Sequence, residues 1–208
     1  CEDKEANMAT TVYRNRLMRP VLRWLAFMIY RCSGWKTQGS KPALSRYVII
    51  AAPHTSNWDF LYTVCLAFIY RLEPQMMMKA DWFFWPLGSL LKWLGAIPIN
   101  RLKSTNVVSQ SIAAFQRCEQ MVLVVPPSGT RKKVIHWKTG FYYIARGARV
   151  PIVLGFLDYR HKVGGFGPSI QPSGDLDRDM LAIRRFYADI TGKNPLQKSS
   201  APIAADTH

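Results

Sequence analysis

The stretch Met121-Val-Leu-Val-Val125 is apolar at every position, and that lack of alternation restricts the fold more than any other feature. A strand with one wet face alternates apolar and polar residues, whereas a strand covered on both faces reads as a continuous run, as in a largely parallel sheet. Tyr47-Val-Ile-Ile50 and Val150-Pro-Ile-Val-Leu-Gly-Phe-Leu-Asp158 share this character. Helical patterns stand between and after them, at Trp58–Tyr70, Ser104–Gln120, Trp137–Gly147 and Asp175–Ile190. The alternation predicts an α/β fold: a single domain with a largely parallel central sheet flanked by helices. Ligands of such sheets bind at the C-terminal ends of the strands.

Shorter elements fill in the order. Met76-Met-Met-Lys79 reads as a short buried strand, with core filling the plainer role for its methionines. The aromatic corner Asp81-Trp-Phe-Phe-Trp-Pro86 leads into a helix from Ser89 to Leu94, and it forms either a core corner or one wall of an apolar groove. Gly95 serves as a C-cap before a strand that ends at Arg101. Lys162–Pro172 has the alternation and glycines of an edge hairpin. Residues 1–10 are expected to be disordered or a processing remnant, 11–44 a helical segment, 45–192 the main domain, and 193–208 a disordered tail.

The chain carries 28 Lys and Arg against 13 Asp and Glu, a net charge of +15. From Ala6 to Trp58 there is no acidic residue, while Arg14, Arg16, Arg19, Arg23, Arg31, Lys36, Lys41 and Arg46 all lie in that span. Charge alone suits nucleic acid or an anionic membrane. The interleaved Leu22, Trp24, Leu25, Phe27, Met28 and Ile29, and the lack of a recognisable nucleic-acid module, favour the membrane. Residues 11–32 read as an interfacial helix, or else as a helix packed on the core with snorkelling arginines. No segment is a convincing membrane span, so a peripheral or monotopic protein is expected. The four cysteines lack CxxC spacing, so neither a zinc site nor a disulfide framework is indicated, and a reduced, cytosol-facing setting follows.

Chemistry concentrates in Ala51-Ala-Pro-His-Thr-Ser-Asn-Trp-Asp-Phe60. Pro53 ends the first strand, because it has no N–H for the ladder. Ser56 is a suitable N-cap for the helix that follows. Five residues apart on one helix, His54 and Asp59 would diverge by roughly 140°. With His54 outside the helix the two side chains can converge. A carboxylate that accepts the Nδ1–H of an imidazole fixes its tautomer and makes Nε2 a better base. Ser56-x-x-Asp59 equally fits a capping box that serves only the helix end. Downstream, Pro126-Pro-Ser-Gly-Thr-Arg-Lys-Lys133 is a glycine-containing turn at a strand's end that could cradle an anion.

Four blocks occur in fixed order: His54-Thr-Ser-Asn-Trp-Asp59, Gly95-Ala-Ile-Pro-Ile-Asn-Arg101, Pro127-Ser-Gly-Thr-Arg131 and Val150-Pro-Ile-Val153. In these the chain resembles the lysophospholipid acyltransferase family, typified by 1-acylglycerol-3-phosphate acyltransferase, over about residues 45–160. The resemblance implies a glycerol-phosphate acyltransferase-like α/β domain with a membrane-associated N-terminal helical segment at the cytoplasmic face. It implies His54 and Asp59 as catalytic residues, with transfer of an acyl group from an acyl-CoA or acyl carrier protein thioester directly to a lysophospholipid hydroxyl. Arg101, Arg131 and Lys79, with the Ser128-Gly129-Thr130 turn, would bind substrate. No cofactor is implied beyond the thioester co-substrate, and no metal. Ser128 departs from the pattern, where the family has Glu. That loss of a carboxylate beside Arg131 leaves a catalytically weak lipid- or acyl-binding module as the alternative. Pro127-Ser128-Gly129 lacks the Gly-x-Ser-x-Gly elbow of a hydrolase nucleophile.

Overall fold

The computed structural model describes residues 11–99, 104–131 and 133–198. Its strands are β1 (Lys36–Gln38), β2 (Arg46–Ala52), β3 (Pro74–Lys79), β4 (Ala96–Ile99), β5 (Met121–Val125), β6 (Ile152–Asp158) and β7 (Val163–Ile170). They form one seven-stranded sheet in the order β1-β7-β6-β2-β5-β3-β4. Neighbours are parallel except for β6 and β7. The helices are α1 (Met18–Cys32), α2 (Trp58–Ile69), α3 (Leu87–Trp93), α4 (Ser104–Arg117), α5 (Gly140–Ala148) and α6 (Leu176–Tyr187).

The unbroken apolar strands are explained by burial on both faces. Successive side chains point to opposite faces of a sheet. Val48, Ile50, Leu123, Ile152 and Leu154 face α4, α5 and α6, where they meet Phe115, Phe141, Tyr142 and Ile183. Tyr47, Ile49, Val124 and Val153 face the other way, onto α1 and α2, against Ala26, Tyr30, Leu66 and Phe68. Each aliphatic side chain fully removed from water in this way contributes about 1.5–3 kcal/mol. Cys65 belongs to the second core, and burial pushes its thiol up to about 11.

Several boundaries differ from the sequence reading, each for a local reason. The expected helix over 11–32 starts only at Met18, after a single 3₁₀ turn at Val12–Arg14. Lys36-Thr-Gln38 is exposed at every position, so nothing in its hydropathy marks the strand β1. It pairs parallel to β7 and places sheet structure ahead of residue 45. The expected edge hairpin is instead the single strand β7, antiparallel to β6 and covered by β1 on its other side. Gly165 permits that cover, since a Cβ there would lie 1.8 Å from the Gln38 carbonyl oxygen. The helix expected from Trp137 begins at Gly140, and Lys138 N–H donates instead to the Pro127 carbonyl at 2.9 Å. Residues 193–198, read as the start of a disordered tail, carry a 3₁₀ turn at Pro195–Gln197.

Candidate active site

Four parallel strands deliver the candidate residues to one edge of the sheet. His54 follows β2, Lys79 ends β3, the loop 126–131 follows β5, and Tyr159 follows β6. Asp59 comes from the first turn of α2. Its Oδ2 lies 3.2 Å from His54 Nδ1 and accepts the backbone N–H groups of Thr55 at 2.7 Å and Ser56 at 2.9 Å. Its Oδ1 accepts the Tyr159 hydroxyl at 2.7 Å. One carboxylate thus accepts two N–H groups of the turn before the helix and faces the imidazole ring. Ser56, the expected N-cap, contributes its Oγ to Trp58 N–H at 3.2 Å, while the cap position itself is Asn57.

The electrostatics follow from those partners. Burial works to raise the Asp59 pKa, but the bonds from His54, Tyr159 and Ser56 outweigh it, and the pKa is lowered. Asp59 is thus an anion at neutral pH, set against the Nδ1 edge of the His54 ring. Tyr159 moves the opposite way: burial and the adjacent Asp59 carboxylate raise its pKa, so its hydroxyl stays protonated. His54 is 25% exposed and its Asp59 partner 4%, which puts the ring at a surface and the carboxylate behind it.

That surface is a cleft of about 430 Å³. His54, Lys79, Gly129, Thr130 and Arg131 line it, together with Asn57 and the apolar Phe60, Met77, Met78, Trp82, Leu87 and Leu91. The aromatic corner is therefore a groove wall at Trp82. The Arg131 guanidinium donates to Asn57 Oδ1 and lies 5.6 Å from the Trp82 ring centroid. Lys79 pairs with Asp81. Gly129 adopts φ +62°, the left-handed turn that brings the loop backbone beside the cleft. Ser128 points elsewhere: it is buried and its Oγ donates to the Thr130 carbonyl at 2.7 Å, bracing the turn from within. Arg101 lies outside the described residues. Among the described residues no cluster of three or more His, Cys, Asp or Glu side chains could hold a metal ion.

Residues 191–198 form a strap over the His54 turn. Asn194 Nδ2 donates to the Thr55 carbonyl at 2.9 Å and Asn194 N–H to Thr55 Oγ1 at 3.2 Å. Lys193 Nζ lies 4.6 Å from the Trp58 ring centroid. Gly192 passes so close that an added Cβ would lie 2.7 Å from Thr55 Oγ1. Sequence reasoning missed Tyr159, Asn57, Thr55 and Asn194. Only the position of Tyr159, directly after a buried strand, carried any signal.

A family model described as Acyltransferase matches residues 35–153, more than half of the chain. The chain belongs to the acyltransferase family. The matched span holds His54, Asp59, Lys79 and Arg131, four of the side chains that build the site, and stops short of Tyr159 and the strap. The fold of this acyltransferase is similar to the crystal structure of the 1-acyl-sn-glycerophosphate (LPA) acyltransferase PlsC from Thermotoga maritima. That match has a TM-score of 0.60 at 13% identity and covers 85% of this chain and 83% of the other. A comparison with curated protein sequences gives no match.

Proposed function

We propose that this acyltransferase moves a fatty acyl group from a thioester, carried on coenzyme A or acyl carrier protein, to the hydroxyl of a lysophospholipid such as lysophosphatidic acid. The observation that carries the reading is the His54–Asp59 pair, opening onto a cleft lined by Lys79 and Arg131 together with apolar and aromatic side chains. With Nδ1 engaged by Asp59, Nε2 takes the proton from the acceptor hydroxyl as that oxygen attacks the thioester carbonyl. The C–S bond then breaks, and the imidazolium returns the proton to the departing thiolate. The products are an ester and a free thiol. No protein nucleophile is required, because the acceptor supplies the attacking oxygen.

Arg131 suits a phosphate on the acceptor. Asn57 and Trp82 hold its guanidinium at the cleft, and a planar fork on a phosphate makes charge-assisted bonds. Lys79 supplies a second cation, and Phe60, Met78, Trp82 and Leu87 give the acyl chain an apolar surface. The direct test is to incubate the protein with both thioester classes and a panel of lyso-lipids and read the products by mass spectrometry. Thiol release with an acylated phospholipid is expected. A stable acyl-enzyme would contradict direct transfer. Arg131→Ala is expected to raise KM for a phosphate-bearing acceptor by about 10–100-fold, the worth of one charged hydrogen bond at about 1.5–3 kcal/mol, with the thioester KM unchanged. An equal rise for an uncharged acceptor would contradict that role.

The proposed site of action is the surface of an anionic membrane. Among the described residues no helix is long and apolar enough to cross one. α1 seats Ala26 and Tyr30 in the core, yet it leaves Val21, Trp24, Leu25 and Phe27 exposed beside the exposed Arg16 and Arg19. Trp85, in the corner beside the cleft, is 86% exposed. Bulky apolar side chains flanked by cations fit an interface where rings enter lipid and arginines meet phosphates. Replacing both Trp24 and Leu25 by Asp is expected to reduce co-sedimentation with anionic vesicles by about 10-fold or more, at unchanged melting temperature. Unaltered sedimentation would remove α1 from the interface.

A further inference from the structure

Tyr159 stands 100 residues from Asp59 in the chain, yet its hydroxyl is one of the partners that saturate the carboxylate. We propose that Tyr159 is a positioning residue for acyl transfer, a third member standing behind His54 and Asp59, which fixes the carboxylate plane so that Oδ2 faces the imidazole. This rests on the general-base reading of His54.

The geometry shows why a third member is needed. The terminal torsion of an Asp side chain is broad, so a carboxylate held by one oxygen can turn about its axis. Oδ2 receives Thr55 N–H, Ser56 N–H and the His54 ring, which leaves Oδ1 to set the plane. The phenol supplies that anchor, and it has little freedom of its own. Its ring meets Trp35 edge-on at 4.9 Å and Tyr62 edge-on at 6.0 Å, while Trp35 and Tyr62 stack on each other at 4.4 Å. Tyr62 lies one helical turn after Asp59 on α2, so one helix face carries both the carboxylate and a wall of the ring's seat. Tyr159 N–H is itself tied to the Thr191 carbonyl at 2.9 Å. Burial and the Asp59 charge keep the phenol protonated, hence a donor.

The test compares Tyr159→Phe, Asp59→Asn and the double variant, each folded by melting temperature, over a pH series. Tyr159→Phe keeps the ring in its seat and removes only the bond. We expect kcat about 10-fold lower with both KM values nearly unchanged, the pattern of a misaimed base. The titratable groups facing Asp59 are His54 and Tyr159. In Tyr159→Phe the carboxylate keeps Thr55 N–H, Ser56 N–H and the His54 ring and stays ionised, so the loss in kcat is expected across the whole pH series rather than at its acidic end. In the Asp59→Asn background, Tyr159→Phe is expected to cost nothing more, because its route runs through the carboxylate. Tyr62→Phe, which spares the bond, serves as the packing control and keeps parental kcat.

Parental kcat in Tyr159→Phe, or a loss confined to the acidic end of the series, would overturn the proposal, as would a further 10-fold loss on top of Asp59→Asn or an equal loss in Tyr62→Phe. Full activity in Asp59→Asn would overturn the base reading along with it. Loss in Asp59→Asn with none in Tyr159→Phe would overturn the positioning role alone.

Discussion

Replacing His54 with Ala is expected to lower thioester-dependent acylation by about 10²–10⁴-fold, the usual worth of a positioned general base. The fold should survive. The ring is 25% exposed, and Asp59 retains Thr55 N–H, Ser56 N–H and the Tyr159 hydroxyl when the ring is gone. The melting temperature therefore should fall by only a few degrees, as for a loss of about 1 kcal/mol in a domain of this size. The measurement is thiol release under saturating acceptor, set beside far-UV circular dichroism of the same sample. A folded His54→Ala protein with parental turnover would end the case for the imidazole, whatever became of the neighbouring residues. The background rate left in the variant reports what cleft binding alone supplies.

Asp59→Ala is expected to act on stability as strongly as on rate. The substitution leaves the buried N–H of Thr55 and the half-buried Ser56 N–H and Tyr159 hydroxyl without their acceptor. Leaving a buried donor without an acceptor costs about 1–3 kcal/mol, and the two half-buried donors add less because water can reach them. The pH dependence has a definite sign. The Asp59 pKa in the folded protein lies below its ordinary value of 3.8. The carboxylate's contribution is therefore complete above the unfolded pKa and disappears as pH falls through the folded one. Urea unfolding of parent and variant should show a wide gap at pH 7 that narrows below about pH 4. A gap that stayed constant to pH 2 would mean that the carboxylate's charge is not what holds the turn.

What the chain disclosed in advance was whatever depends on local pattern. β2, β5 and β6 were legible because strands covered on both faces must be apolar throughout, and Tyr47 to Ile50 and Met121 to Val125 meet that demand without exception. Gly95 was legible as a cap, and it has φ +80° with its would-be Cβ 2.3 Å from the Pro74 carbonyl oxygen. β1 was not, because Lys36, Thr37 and Gln38 are all exposed and owe their strand to β7. The site divides along the same line. His54 and Asp59 are near in sequence, and helix geometry limits how they can meet. Arg131 sits in an ordered block, but its tether to Asn57 spans the sheet edge. Tyr159 could not be found by spacing, since its partner is reached only through the parallel pairing of β2 with β6. Ser128 stands out as a departure in composition, and the structure turns its hydroxyl into the loop rather than into the cleft.

The strap has a consequence for how this enzyme tolerates changes at its far end. Every recognisable block lies before residue 154, yet the loop bearing His54 is buttressed by Asn194 and Lys193, about forty positions later. Trimming the protein behind Ile190, or fusing a bulky partner there, would spare the signature and slacken the turn that carries His54. Such a product would still look like an acyltransferase while its proposed base swung loose.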